Sequence, residues 1–222
     1  MTITLRPGAT VMFTGDSITD SQRLQTEHGL GSGYPLLIAG EWGLRHPDRP
    51  VTWLNSAIGG HKVMDLEPRW QTDVLDARPD VVSVLVGVND MGWHTLDPEG
   101  YVISVEEFAA GYDRLLAPLA EAGTGLILIE PFLLPVRGDV EAGSALLPIG
   151  EKERKEWRAD LDPKIQAVRR LADAYGAQLL TADAMFAGLA ATTGPEYWAE
   201  DGVHPTPAGH AALAEAWLRL VA

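Results

Sequence analysis

Four short blocks of this chain hold side chains suited to nucleophilic and acid–base chemistry. Gly15-Asp16-Ser17-Ile18 follows the apolar run Thr10–Thr14, which hangs a serine at the end of a short buried strand. Gly59-Gly60 and Gly87-Val88-Asn89-Asp90 follow two further apolar runs, and Asp201-Gly202-Val203-His204 comes late in the sequence. An ester or amide is cleaved most readily by a serine whose proton passes to a histidine, with a carboxylate fixing the imidazole tautomer. Because Asp201 precedes His204 by three residues, both side chains can emerge from one turn. The carboxylate then reaches Nδ1 while Nε2 faces a serine on a neighbouring loop. An oxyanion needs hydrogen-bond donors aimed at it in advance, and three are at hand: the backbone N–H groups of Ser17 and Gly60 and the side-chain amide of Asn89. Glycine at position 60 lets a substrate approach the main chain without a Cβ in the way.

Each block also has a plainer reading. Asp and Ser after a strand cap helices, Gly-Gly and Asp-Gly make turns, and Asn caps loops. Taken singly, the turn and cap readings win for most of these blocks. Their joint presence, each at the end of an apolar run or before a helix, reverses that preference.

Five apolar runs read as strands: Thr10–Thr14, Val51–Asn55, Val81–Val86, Gly125–Glu130 and Gln178–Thr181. None alternates cleanly in polarity, which is the pattern of strands buried on both faces in a parallel sheet. Amphipathic segments lie between them. Ser104 and Glu107 form a capping box ahead of Phe108, Tyr112, Leu115, Leu116 and Leu119, and Gly123 supplies a stop. Trp157, Leu161, Ile165, Val168, Ala172 and Tyr175 make a second stripe that ends at Gly176. Thr206-Pro207 opens a last helix lined by Leu213, Ala216, Trp217 and Leu220. The alternation of strands and helices predicts an α/β fold, a three-layer α/β/α sandwich on a five-stranded parallel sheet. Ligands of such sheets bind beyond the carboxyl ends of the strands, where all four blocks fall.

With 222 residues, 46% of them hydrophobic, the chain is sized for one domain spanning residues 1–222. The 31 Asp and Glu against 17 Lys and Arg leave a net charge of −14, which repels nucleic acid and anionic membranes. There is no cysteine, which excludes disulfides and thiolate metal sites. The first residues lack the pattern of a secretory signal and no run is long enough to cross a bilayer, so a cytoplasmic protein is expected.

Together with Ile58 before Gly59-Gly60 and Pro205 after His204, the four blocks resemble the signature blocks of the SGNH hydrolases, the GDSL esterase/lipase superfamily. Their order and separation match over nearly the whole chain. The resemblance implies a flavodoxin-like fold and a Ser-His-Asp esterase mechanism without metal or organic cofactor. Ser17 would be the nucleophile, His204 the general base, Asp201 its orienting acid, and Gly60 and Asn89 oxyanion donors. Thr14-Gly15-Asp16-Ser17-Ile18-Thr19-Asp20, Ile58-Gly59-Gly60-His61-Lys62-Val63, Arg69-Trp70 and Glu130-Pro131-Phe132 are most similar to bacterial carbohydrate esterases of the acetylxylan esterase type. Those enzymes commonly carry Ser-Gly-Asn where this chain has Gly59-Gly60-His61. His61 either takes over the Asn role or faces solvent, and solvent is favoured for a lone histidine.

The expected substrate is a small acyl ester, above all acetyl, of a neutral carbohydrate, with a homo-oligomer as the expected assembly. Candidate substrate-binding residues are Asp16, Trp93, Tyr197 and Trp198; Asp16, next to Ser17, is also placed to hold its own loop. The aromatic faces can stack on a sugar or wall an acyl pocket, and Trp198 is the favoured one. Alternatives are a lipid or acyl-thioester substrate, a non-catalytic carbohydrate-binding protein, a nucleotide- or flavin-binding protein, and a metal site built from Asp16, Asp90, Asp201 and His204. The segment Pro131–Gly150 reads as a substrate wall or an oligomer contact.

Overall fold

The computed structural model describes residues 2–91, 102–136 and 150–222, so Trp93 and positions 137–149 lie outside the described residues. Five strands, β1 (Thr10–Gly15), β2 (Thr52–Asn55), β3 (Val81–Leu85), β4 (Gly125–Ile129) and β5 (Gln178–Leu180), form one sheet in the order β2-β1-β3-β4-β5. Every neighbouring pair is parallel. This is the flavodoxin-like order, with its topological switch between β1 and β3, the strands that lead into Ser17 and Asn89.

The apolar runs do not alternate because the strands pack on both faces, with β1, β3 and β4 buried nearly throughout and the edge strands β2 and β5 in part. Val11 and Phe13 of β1, Leu85 of β3 and Ile127 and Ile129 of β4 enter one core cluster. Met12, Val82, Val84, Leu126 and Leu128, the residues between them, enter a second cluster. The first cluster is covered by α2 (Tyr34–Arg45), α6 (Ala182–Thr193) and α7 (Pro207–Leu218), through Tyr34, Ile38, Phe186, Leu213 and Trp217. The second is covered by α3 (Val63–Leu66) and α4 (Val105–Glu121), through Val63, Leu66, Phe108, Tyr112 and Leu116. The long helix α5 (Glu151–Tyr175) serves both, sending Leu161 and Ile165 to the first and Val168 and Ala172 to the second. A four-residue helix, α1 (Ser17–Asp20), follows β1 directly.

Strand ends differ from the sequence reading by one residue, and pairing often continues past them: the Glu130 N–H still donates to Leu180 O at 3.0 Å. The Ser104 cap, the Gly176 stop and the Thr206 cap sit where the sequence puts them. Helix α5 begins earlier than the stripe from Trp157 suggested, and α6 was not foreseen. Among the described residues, no helix is long and apolar enough to cross a membrane.

Gly15 is the tightest point of the frame. Its φ is +140°, and a Cβ there would lie 1.8 Å from the carbonyl oxygen of Leu85 on β3. In contrast, Gly40 lies inside α2, and its missing Cβ would meet nothing within 4 Å. We expect Gly15→Ala to lower the denaturation midpoint sharply or prevent folding, because backbone cannot yield as a side chain does. Gly40→Ala should stabilise the chain by about 0.5–1 kcal/mol. Urea melts of both variants check the contrast.

Candidate active site

The turn from β1 into α1 is built by Asp16, whose Oδ1 accepts the Ile18 N–H at 3.1 Å as helix N-cap. That cap sets Ser17 as the first residue of α1, with its hydroxyl at the sheet's carboxyl rim. Ser17 Oγ lies 2.9 Å from Nε2 of His204, and His204 Nδ1 lies 2.6 Å from Asp201 Oδ2. A neutral imidazole that donates from Nδ1 to a carboxylate has Nε2 free of its proton and ready to accept one from a hydroxyl.

The three-residue spacing of Asp201 and His204 has a local cause. Asp201 Oδ1 accepts the backbone N–H groups of Val203 at 2.8 Å and His204 at 2.7 Å, an Asx-type turn that fixes carboxylate and imidazole together. The turn is closed by an antiparallel bridge between Ala199 and Pro205 and anchored by the Leu134 N–H, which donates to Gly202 O at 2.8 Å. Gly202 has φ +85°, and a Cβ there would come within 2.6 Å of Leu134 O.

Burial acts to raise the Asp201 carboxyl, but the hydrogen bond and charge of His204, with the two backbone N–H groups, outweigh it and hold the pKa below the ordinary value. Burial likewise acts to lower His204. The hydrogen bond and charge of Asp201 prevail, with Asp16 adding to them, and the net shift is upward.

The second and third blocks are clamped beside this pair. Asn89 is buried at the end of β3 and donates from Nδ2 to His61 O at 2.9 Å. Next to it, Asp90 Oδ1 accepts the Val63 N–H at 3.2 Å. Gly59 donates its N–H to Asp20 Oδ2 at 2.9 Å, and its missing Cβ would stand 3.7 Å from Ser17 Cβ. Gly60 follows at φ +81° with open space where a Cβ would be, so its main chain borders solvent near Ser17.

His61 acts through its backbone carbonyl. Its ring is part-buried with Nδ1 shut off from solvent, so it does not simply face water; burial and the nearby Arg69 charge lower its pKa.

Not every candidate reaches this place. Asp16 is fully buried under its own loop and does not border the groove that opens at Ser17 and His204. Neither Tyr197 nor Trp198 borders it. Tyr197 is 56% exposed and its ring packs on Trp198 at 4.9 Å. Trp198 bonds Thr193 Oγ1 through Nε1 at 2.7 Å and borders a separate groove with Met185, Leu189 and Ala212. Loop aromatics here anchor the turn onto α6. Among the described residues, no group of three or more His, Cys, Asp or Glu side chains could hold a metal ion.

Other residues at the site carried no sequence signal. Asn55 donates from Nδ2 to the carbonyls of Thr19 (2.7 Å) and Leu30 (3.0 Å) and accepts the Ala57 N–H (3.0 Å), joining the first two blocks. Arg23 Nε donates to Ala57 O at 2.6 Å. His210, six residues past His204 on α7, borders the groove and accepts the Tyr34 N–H on Nδ1 at 3.2 Å.

The model of the GDSL-like lipase/acylhydrolase family matches residues 13–212. The chain belongs to this family. An acetylxylan esterase of Geobacillus stearothermophilus is 31% identical, the match covering 96% of this chain and 93% of the relative. The crystal structure of that organism's acetylxylan esterase superposes with a TM-score of 0.83 at 29% identity, over 98% of this chain and 95% of the other. A putative GDSL-like lipase from Parabacteroides merdae gives a TM-score of 0.86 at 30% identity, over 99% and 98%. Solved forms of the Geobacillus enzyme described as catalytic mutants replace a serine, an aspartate or a histidine by alanine. As a GDSL-family member of this kind, the chain is a carboxylic ester hydrolase.

Asp16 gives a test of how the site is supported. Burial raises its pKa to about 7, against the lowering effects of the Ile18 N–H and the His204 charge, and Oδ2 has no partner among the described residues. A carboxyl that holds its proton more tightly when folded contributes stability below its unfolded pKa and loses it as pH rises through the folded one. Thermal stability should therefore fall between about pH 4 and 7, and Asp16→Asn, which keeps the capping oxygen, should flatten that fall. Thermal melts across this range measure it; parallel curves for the two proteins would count against the assignment.

Proposed function

We propose that this GDSL-family hydrolase is a serine esterase that removes small acyl groups, acetyl above all, from the hydroxyls of a neutral carbohydrate, with residues 1–222 working as one domain. The observation that carries the proposal is the continuous hydrogen-bonded chain Ser17–His204–Asp201 at the carboxyl rim of the sheet. The Geobacillus relative supports the substrate class, and its catalytic mutants at a serine, an aspartate and a histidine support the assignment of these three residue types.

In this reading Ser17 Oγ attacks the ester carbonyl carbon as its proton moves to His204 Nε2. The carbonyl oxygen becomes an oxyanion facing the N–H groups of Ser17 and Gly60 and the amide of Asn89. The bond to His61 O holds the Asn89 amide in one orientation beside the second block. The imidazolium, stabilised by Asp201, then protonates the departing alcohol oxygen as its bond to carbon breaks. Water, deprotonated by the same imidazole, attacks the acyl-serine; the carbon–Oγ bond breaks, Oγ regains the proton, and the free acid leaves.

Turnover of p-nitrophenyl acetate and labelling by a fluorophosphonate, with the modified residue found by mass spectrometry, test the nucleophile. Label on any residue other than Ser17 would falsify the assignment. Ser17→Ala should lower kcat by at least about 10³-fold and Asn89→Ala by about 10²-fold. The base must be neutral to accept a proton, and its pKa is raised above the ordinary 6.5. The acid limb of kcat/KM should accordingly lie above that value. Asp201→Asn, which removes the partner that raises it, should shift the limb downward and cut the rate by about 10³–10⁴-fold. A pH–rate profile that stays flat through this range would remove His204 from the mechanism.

A further inference from the structure

The groove beside Ser17 and His204 encloses about 500 Å³. Its polar border is made by Asp20, Ser21, Gln22, Gln25, Ser32 and His210, while neither Gly60 nor Asn89 touches it. It therefore opens from Ser17 and the imidazole on a side that Gly60 and Asn89 do not line. That direction has chemical meaning. When the tetrahedral intermediate collapses, the imidazolium protonates the leaving oxygen, so that oxygen lies beside Nε2, while the former carbonyl oxygen lies among the donors on the other side. The alcohol half of the ester must occupy space on the imidazole side, and this groove is that space.

We propose that the groove is the subsite for the alcohol half of the ester, a polyhydroxylated sugar, and that His210 is a specificity residue in it, donating its Nε2–H to a sugar oxygen. The proposal rests on the esterase reading above. Three observations carry it. The amides of Gln22 and Gln25 and the hydroxyls of Ser21 and Ser32 suit the many donors and acceptors of a sugar, while Ile18, Leu24 and Pro205 offer apolar surface to the faces of its ring.

His210 is held as a donor. Its Nδ1 accepts the N–H of Tyr34 at the start of α2, so the proton of the neutral ring sits on Nε2. Burial and the neighbouring His204 charge lower its pKa to about 4, which keeps the ring neutral wherever His204 can act as a base. The fit around it is close. A Cβ on Gly33 would stand 2.9 Å from His210 Cε1 and 2.2 Å from Ser21 Oγ.

The third observation is backbone strain. Ser21 and Gln22, both on the groove, have φ of 41° and 62°, two consecutive non-glycine residues in the left-handed region. Surrounding bonds hold them there: Ser21 Oγ donates to Ile18 O at 3.0 Å, and the Ser32 N–H donates to Ser21 O at 2.9 Å. Downstream, the Gln25 N–H donates to Gln22 O at 2.9 Å. The strained turn fixes the two glutamines along the groove wall. Both are exposed, with surfaces left for a ligand.

The test compares kcat/KM for acetylated xylobiose with that for p-nitrophenyl acetate, whose alcohol half has no hydroxyls beyond the ester oxygen. In His210→Phe the ratio of the two should fall about tenfold, chiefly through KM for the sugar ester, as expected for one lost hydrogen bond. His210→Gln, which can still donate an amide N–H, should recover part of the ratio. Gln22→Ala and Gln25→Ala alter exposed side chains and keep the experiment informative if the histidine variants fold poorly; each should lower the ratio a few-fold. Calorimetry of acetylated xylobiose with Ser17→Ala, alone and combined with His210→Phe, should show binding weakened about tenfold in the double variant. A ratio that stays constant across these variants overturns the subsite while leaving the esterase intact. A wild type that turns over neither ester strikes the esterase reading and this subsite with it.

Discussion

The contact of Ser17 Oγ with His204 Nε2 joins residues 187 positions apart, and its 2.9 Å length depends on how α7 is seated against the sheet. Helix α7 begins three residues after His204, so any shift of α7 carries the imidazole with it. Its seat is an aromatic cluster. Phe13 of β1 lies 5.7 Å from Tyr34 of α2 and 5.5 Å from Trp217 of α7, ring centre to ring centre. Trp217 Nε1 donates to Ser83 Oγ on β3 at 3.0 Å, a buried polar pair that fixes the depth of the indole as well as its contact. The strand that delivers Ser17 is therefore held to the helix that follows His204, through β1, α2 and β3 at once.

Loops rather than strands carry the remaining geometry, and they are pinned by side chains bonded to backbone. Asn55 bonds the first block to the second, Asp20 holds Gly59, and Asp90 with Asn89 holds the stretch from His61 to Val63. Buried carboxyls stand beside these loops only partly satisfied: among the described residues, Oδ2 of Asp16 and of Asp90 both lack a partner. Burial is the main reason that both carboxyls are raised to about 7. A core built for stability alone would avoid two such acids, because an unsatisfied buried polar group costs about 1–3 kcal/mol. Their positions beside Ser17 and Asn89 fit a cost borne to hold the site in place.

The sheet was legible in the sequence because strands buried on both faces leave unbroken apolar runs, and Val11 to Phe13 or Val81 to Val86 have no other economical reading. The capping residues Ser104 and Thr206 and the stop at Gly176 were legible for the same local reason: each satisfies backbone groups within a few residues. Helix α6 was not, since its small residues leave no clear apolar stripe, and only Ala182 and Phe186 are fully buried in it. Asn55, Asp20 and His210 were invisible because their partners lie 25 to 176 residues away and only the folded sheet brings them together. The direction of Trp198 was open in the sequence, where a rim aromatic and a core anchor look alike. The sequence places it beside the last block, but the bond to Thr193 and the ring of Phe186 turn it toward α6.

His204 and His210 show how one side-chain type acquires two characters within one groove. Both are part-buried, and burial disfavours the charged form of each. The difference lies in the partner of Nδ1. For His204 it is a carboxylate at 2.6 Å, which favours the imidazolium and leaves Nε2 to accept a proton; for His210 it is a backbone N–H at 3.2 Å, which forces the proton onto Nε2. His210 also feels the positive charge that His204 takes up, which lowers it further. An acceptor and a donor of fixed orientation thus face the same space, and each owes its character to a residue outside the groove's polar border: Asp201 in the closing turn and Tyr34 at the head of α2.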